Sequence, residues 1–459
     1  MNKVTLKVVQ GSLLAQEFSY QERTTCVIGR SVDCNIVLPD DQAHSTISRY
    51  HCLLDINPPD ICIRDFGSLN GTFVNNVKIG QRTIDEDITR AQQMIYPEYD
   101  LKDGDEIKLG DTVFQVTMAA TENQAKQSQD TKELSQINLQ ADPLDKVNQL
   151  LGQADQGKKE LIAIRGYRIK KQLGKGNMGA VYLATKSDSS KDVQAENEQM
   201  VALKVLLPKV ESNTRARQQF IRETKNTKLL NHKNIVSVHD IGCYENTYFF
   251  TTDYCEVGSV AQLIKKKGGK LPLFMALKIL LQVLDGLQYA HTVKIPSIVL
   301  ADGKKTSGVG LVHRDLKPGN LLLTQIDDML RVKIADFGLA KAFDTAGLSG
   351  RTATGVSAGT PYYMPRQQVI NFKLAKPEVD VWAAAATFYK MVTGKHPRRY
   401  TKAADPWLTT LKNAAIPIRK REPSIPAALA EIIDTALVDQ PEIGFKTAIE
   451  LKETILRVI

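Results

Sequence analysis

The feature that most constrains this chain is a polar interruption. TENQAKQSQDTKELSQINLQ (121–140) is rich in Gln and has no aromatic residue. Such a composition cannot bury enough apolar surface to fold. Residues 121–160 therefore read as a flexible linker, with LDKVNQLL (144–151) as a short helix inside it. The linker separates residues 1–120 from 161–459. Before it come VTLKVV, TTCVIG, NIVL, HCLLDI, ICIRDF, TFVNN, EIKLG and TVFQVTM, short alternating runs divided by Gly, Asn, Asp and Pro. That pattern predicts an all-β sandwich. After the linker, strand-like runs come first. Helix-period runs such as ARQQFIRETKNTKLL and PLFMALKILLQVLDGLQYAH follow. Small β part then larger helical part is an α+β arrangement.

Composition narrows the classes further. A hydrophobic fraction of 42% excludes a disordered polymer. The six cysteines (26, 34, 52, 62, 243, 255) form no CxxC pair, which argues against a disulfide scaffold or zinc site and suits a reducing compartment. No apolar run of about 20 residues is apparent, so no spanning helix is expected. MNKVTLKVVQ reads as a first strand, not a signal peptide. A cytoplasmic location is the expectation. Residues 1–120 hold 11 Lys and Arg against 17 Asp and Glu, leaving 49 against 34 in the rest. The basic remainder suits an enzyme that handles phosphates. No basic run with interleaved aromatics appears, so nucleic acid is not an expected partner.

Four segments of the second part carry chemistry. In LGKGNMGAV (Leu173, Gly174, Lys175, Gly176, Asn177, Met178, Gly179, Ala180, Val181) the glycines form GxGxxG. Lacking Cβ atoms, such a hairpin can lie close over phosphates and offer its N–H groups. The following AVYLAT reads as a strand, not the helix a dinucleotide fold requires. In VALKVL (201–206), Lys204 is the one charge in an apolar strand and needs anionic partners. Glu223 of FIRETKNTKLL is the candidate on the protein side. LVHRDLKPGNLLL (311–323) places Asp315, Lys317 and Asn320 in one short loop, and VKIADFGLA (332–340) puts Asp336 at a strand end. A carboxylate to orient a hydroxyl, a cation, and oxygen ligands for Mg²⁺ suit phosphoryl transfer.

In this order and spacing, the four segments resemble the eukaryotic-type protein kinase family over roughly residues 165–457. The resemblance implies a bilobal α+β fold, ATP and Mg²⁺ as cofactors, and protein Ser/Thr hydroxyls as substrates. Lys204 would bind the α/β-phosphates and pair with Glu223. Asp315 would be the catalytic base, and Asn320 and Asp336 would hold the metal. Lys317 suits the serine/threonine type, with Thr360 its companion. Asp253, Tyr254 and Cys255 would join the lobes beside adenine, Thr252 would be the gatekeeper, and Asp380 would support the catalytic loop. Arg314 before the aspartate suits regulation through an activation loop. Within 339–361 are Thr345, Ser349, Thr352, Thr354 and Ser357, with Thr352 and Thr354 the phosphosite candidates. Two features depart from the family. Pro365-Arg366-Gln367 replaces Ala-Pro-Glu, and Gly444 stands where the partner arginine is expected. The paired loss gives weight to an alternative, a non-catalytic pseudokinase adaptor. Residues 294–310 also look inserted.

In the first part, IGR (28–30), SRYH (48–51), DFGSLNGTFVN (65–75) and LKDGDEIKLG (101–110) together resemble the forkhead-associated (FHA) domain over roughly residues 5–117. The resemblance implies a phosphothreonine reader, with Arg30 and Arg49 facing the phosphate. Ser48 would donate a hydroxyl hydrogen bond and Asn70 would hold the peptide backbone. His51, Gly71 and Thr72 would be structural. Phosphothreonine peptides, or the chain's own phosphorylated segments (Thr131 included), are the implied partners. The segment 81–98 reads as a loop insertion.

Overall fold

Alternation decides the first domain. In β1 (Lys3–Gln10), Val4, Leu6 and Val8 are fully buried while the intervening residues stay accessible, as a half-buried strand requires. The computed structural model describes residues 3–21, 24–42, 44–58, 60–81, 97–119, 163–164, 166–176, 179–186, 199–206, 227–244, 247–299, 305–337, 361–370, 375–401 and 405–459. The expected helices at 144–151 and 216–230, most of the 81–98 segment, the 121–160 linker and the activation-loop candidates lie wholly or largely outside them.

Among the described residues, eleven strands form the sandwich: β1, β2 (Glu17–Tyr20), β3 (Thr24–Gly29), β4 (Ile36–Val37), β5 (Cys52–Asn57), β6 (Asp60–Asp65), β7 (Thr72–Val74), β8 (Val77–Gly80), β9 (Tyr99–Leu101), β10 (Glu106–Leu109) and β11 (Thr112–Ala119). One sheet runs β2-β1-β11-β10-β7-β8, the other β4-β3-β5-β6-β9. Val4, Leu6, Ile28, Leu54, Ile63 and Phe114 meet in the core between them. All eight expected strand runs are found; β2, β8 and β9 were not separately expected.

The second part has two lobes. Its first lobe is a sheet ordered β12-β13-β14-β15-β17-β16, with β12 (Ala163–Ile164), β13 (Tyr167–Gly176), β14 (Gly179–Lys186), β15 (Met200–Leu206), β16 (Val238–Tyr244) and β17 (Thr247–Asp253). The second lobe holds the short strand β18 (Gly258–Ser259), α1 (Val260–Lys266) and α2 (Leu273–Thr292). The hairpins β19 (Lys294–Val299)–β20 (Lys305–Val309) and β21 (Leu321–Ile326)–β22 (Met329–Ile334) follow. Then come α3 (Arg366–Ile370), α4 (Glu378–Thr393), α5 (Pro406–Lys412), α6 (Ala427–Ala436) and α7 (Ala448–Leu456). The inserted 294–310 segment is thus the β19–β20 hairpin.

Helix α2 corrects one expectation. It has 20 residues with a mean hydropathy of 1.3, long and apolar enough by those measures to cross a membrane. One lysine and one aspartate (Lys278, Asp285) interrupt its apolar run. Its apolar side packs instead with α4 and β22 in the core of the second lobe. The alanines 383–386 of α4 are buried on every side, and their small side chains let neighbouring elements close in.

Candidate functional site

Strand alternation builds the first-lobe wall of the interlobe cleft. On β15, Val201, Leu203 and Val205 bury in the first-lobe core. Ala202 and Lys204 therefore point the other way, into a cavity of about 870 Å³. Leu173, Gly174 and Val181 line its roof, and Thr252, Asp253 and Cys255 line the connection between lobes. Lys175 pairs with Ala180 and Gly176 with Gly179 across the β13–β14 hairpin. Asn177 and Met178 lie outside the described residues. The cleft also takes in Val236, Leu322 and Ala335, apolar positions to which the sequence reading gave no role.

Lys204 Nζ lies 2.8 Å from Asp336 Oδ1. Burial alone would raise the Asp336 carboxyl, but the Lys204 charge and hydrogen bond hold it below its ordinary value. Asp336 has φ +61°, a left-handed backbone that aspartate tolerates better than most residues. The expected partner Glu223 lies outside the described residues.

Across the cleft floor, Lys317 Nζ donates to both Asp315 carboxylate oxygens at 3.0 and 2.8 Å. Asn320 Nδ2 donates to Asp315 Oδ2 at 3.0 Å and to its carbonyl at 2.8 Å. Proline and glycine at 318 and 319 begin the short turn that folds Asn320 back onto Asp315. Below this loop lies Asp380, buried near the start of α4. It accepts from the backbone N–H groups of His313 (2.7 Å) and Arg314 (2.8 Å), and from His291 Nε2 (2.8 Å). Burial would raise its pKa, yet these donors hold it down. His313 Nδ1 accepts from the Asp315 N–H and its Nε2 donates to the Ala335 carbonyl, so one neutral tautomer ties the two loops. Asp253, at the edge of the cavity, is tied to its neighbours. Its carboxylate accepts from Ser237 N–H, His239 and Lys333, and these bonds outweigh burial and lower its pKa.

The departures at 365–367 and 444 have a structural account. A Cβ on Gly444 would stand 2.2 Å from the Thr435 carbonyl, so no arginine fits there. Arg398 supplies the missing cation. Fully buried, it donates to Asp439, to the Met364 carbonyl (3.0 Å) and to the Asn413 carbonyl (2.8 Å), and lies over Trp382. Gln367 Nε2 donates to the Asp439 carbonyl (2.8 Å). The two family partners are both absent, and the segment is anchored instead through Arg398 and Asp439, a pair the motifs do not signal.

The sandwich has a second cavity of about 750 Å³ beside Arg30, Ser48 and Arg49. Gly29 allows it: a Cβ there would come 2.2 Å from the Arg49 carbonyl. His51 is buried, accepts from the Ser48 N–H (3.0 Å) and donates from Nε2 to the Gly71 carbonyl (3.1 Å). Burial lowers its pKa, so the neutral tautomer props the loop. Thr72 Oγ1 donates to Asp65. Ser48 Oγ accepts from the Leu69 N–H, and Asn70 Nδ2 donates to the Thr46 carbonyl at 2.7 Å. Arg30 pairs with Asp40, an acid that no motif signals.

These features define a two-lobed fold with a nucleotide-sized cleft, preceded by a β-sandwich with a cationic loop pocket. The protein kinase domain family matches residues 167–443, and the chain belongs to that family. The FHA domain family matches residues 26–110, so the sandwich is an FHA domain. Among relatives is the serine/threonine-protein kinase PknA of Mycobacterium tuberculosis, 32% identical over 286 residues, covering 61% of this chain and 58% of that protein. Another is PrkC of Bacillus subtilis, 28% identical over 289 residues, covering 63% and 40%. The chain thus spans little more than half the length of these relatives, or less. Among solved structures, Rad53 1–466 in complex with AMP-PNP has a TM-score of 0.46 at 18% identity, covering 99% of this chain and 100% of that one. The Mycobacterium tuberculosis PknI kinase domain has a TM-score of 0.45 at 24% identity, covering 64% and 96%.

Proposed function

We propose that the chain is a serine/threonine protein kinase that transfers the γ-phosphoryl group of ATP to protein hydroxyls, with its FHA domain reading phosphothreonine. The observation that carries the reading is the cleft itself. Lys204 and Asp336 meet at 2.8 Å on one side of the 870 Å³ cavity, and Asn320, which also lines it, is interlocked with Asp315 and Lys317 in the adjoining loop.

The chemistry follows from these groups. Asp315, held by two donors, orients the substrate hydroxyl and accepts its proton as the new oxygen–phosphorus bond forms. The bond from the γ-phosphorus to the bridging oxygen breaks, and ADP leaves. Lys317, already on Asp315, can move to the transferred phosphoryl as its charge develops. Lys204 faces the α/β-phosphates. Asn320, its Nδ2 spent on Asp315, offers Oδ1, and Asp336 offers an ionised carboxylate. Both are hard oxygen donors of the kind Mg²⁺ takes, and Mg²⁺ bound there would neutralise phosphate charge. Among the described residues no cluster of three or more His, Cys, Asp or Glu forms a metal site, which fits an ion completed by phosphate oxygens and water.

Arg30, Ser48 and Arg49 would take the phosphate of a phosphothreonine, and recruited substrates or the chain's own phosphorylated segments are the candidate ligands. Phosphorylation at Thr352 or Thr354 is proposed to raise activity; unchanged turnover in alanine variants of both would remove that idea. The deciding experiment is phosphate incorporation from labelled ATP with Mg²⁺, wild type beside Asp315→Asn, followed by phosphoamino-acid analysis. Phosphoserine or phosphothreonine from wild type alone supports the reading. Equal signal from both proteins, or phosphotyrosine alone, overturns it.

A further inference from the structure

Both faces of the β3–β5 sheet are apolar. Cys26, Ile28, Cys52 and Leu54 face the sandwich core. Val27 and Leu53, on the opposite face, are also buried, at 0% and 7% exposure. The second kinase lobe covers them: with Tyr50 and Phe66 they form one apolar cluster with Met364, Val369, Leu408 and Leu411. Polar groups fasten the same contact. Asn35 Nδ2 donates to the Ile370 carbonyl at 2.7 Å. Arg64 Nη1 lies 3.3 Å from Asp405 Oδ2, both side chains buried. Asp405 also caps α5 by accepting from the Trp407 and Leu408 N–H groups. The end of α5 is therefore held against the loops that carry Arg30 and Arg49.

A consequence is visible in the phosphate pocket. Its 750 Å³ cavity is lined not only by FHA residues but by Leu411, Lys412 and Gln440 of the kinase domain. Gln440 is set in place by Arg366, which donates to its Oε1. Three cations border the cavity, Arg30, Arg49 and Lys412, against the acids Asp33 and Asp40. Asp40 is engaged by Arg30, and Asp33 accepts from the Tyr50 hydroxyl at 3.1 Å. Lys412 is exposed and comes from the other domain, so it borders the cavity beyond the FHA loops.

We propose that the phosphopeptide site is a two-domain site, in which Lys412 of the kinase lobe recognises an acidic side chain flanking the phosphothreonine. The ligand class is a phosphothreonine peptide with Asp or Glu beside the phosphorylated residue. A peptide bound there touches both domains, so peptide affinity and domain docking strengthen one another, as linkage requires. The inference rests on the phosphothreonine reading above and adds to it a specificity that the FHA domain alone does not contain.

The test is fluorescence anisotropy on the whole chain with labelled peptides, each phosphorylated or not, flanked by Asp, Ser or Lys. Wild type is expected to bind the Asp-flanked phosphopeptide about fivefold more tightly than the Ser-flanked one, the scale of one partly exposed ion pair. Lys412→Glu should abolish that preference and favour the Lys-flanked peptide, while Lys412→Arg should keep it. Arg49→Ala should lose binding to all phosphopeptides. A Lys412→Glu protein that still prefers Asp flanks overturns the two-domain site and leaves the phosphothreonine reading standing. Wild-type binding that ignores phosphorylation, or survives Arg49→Ala undiminished, overturns that reading and the inference with it.

Discussion

The interlobe cleft and the FHA pocket are both lined by lysine or arginine side chains, yet they are built differently. In the cleft each ion pair is internal to the site: Lys204 with Asp336, Lys317 with Asp315. The floor comes from eight consecutive residues, 313–320, braced from beneath by one buried carboxylate, Asp380. In the pocket, Arg30 is occupied by an exposed acid, Asp40, and part of the wall belongs to another domain. The difference teaches that a site pre-organised by short-range hydrogen bonds is self-contained. A site assembled by domain docking carries a dependence on that docking.

The largest effect should fall on the cleft alone. Asp315→Asn removes the proton acceptor and should lower turnover by about 10³-fold, while phosphopeptide affinity changes less than about twofold. Equal losses in both assays would break the claim that the sites are separate in construction. Next comes the buried anchor of the 364–367 segment. Arg398→Met removes the nearer of the two cations on buried Asp439, leaving Arg366 Nη1 at 4.0 Å, and should cost about 3–5 kcal/mol in denaturant unfolding. A loss under about 1 kcal/mol, the scale of an exposed pair, would show that Asp439 is not a buried charge that needs Arg398.

A smaller effect distinguishes the lobes by pH. Burial, with Lys390 and Arg421 nearby, lowers the His396 pKa from 6.5 to about 4. The unfolded chain therefore binds a proton between these values that the folded chain excludes, so stability falls as pH drops from about 6.5 to about 4. Denaturant midpoints across this range should show the fall, and His396→Gln should flatten it. A slope unchanged by the substitution would assign the effect elsewhere, His51 and His232 being further imidazoles whose pKa burial lowers. The smallest effect belongs to the pocket. Asp40→Asn frees Arg30 from its acid and should tighten phosphopeptide binding about threefold in the anisotropy assay. Weaker binding would mean that Asp40 positions Arg30 instead of competing for it.

Much of this was legible beforehand. Period-two alternation marked the strands that carry the sandwich core, and the helix period marked α2 and its neighbours. The Asp315–Lys317–Asn320 cluster could be read from spacing because a short turn closes it. Other partners could not be read. Asp336 meets Lys204 across 132 residues, Asp439 meets Arg398 across 41, and Asn35 meets Ile370 across 335. Glu223, the chemical partner that the motif suggests for Lys204, lies outside the described residues, and nothing in the intervening chain dictates that Asp336 meets Lys204. The run TTCVIG carried a signal that was not used: Val27 interrupts the polar face expected of a half-solvated sheet, and the kinase lobe covers it.

By itself, the sequence determined what short-range stereochemistry determines. It set the strand and helix periods, the glycine turns, the eight-residue loop around Asp315, and the order of the domains. Only the tertiary structure decided which distant groups meet: Arg398 in place of the arginine that Gly444 leaves no room for, Asp40 against Arg30, and Lys412 at the rim of the other domain's pocket. The physical reason is that local hydrogen bonds close over a few residues with little choice. Contacts between distant segments depend on how whole sheets and helices pack, and many partners of the same chemistry compete for each position.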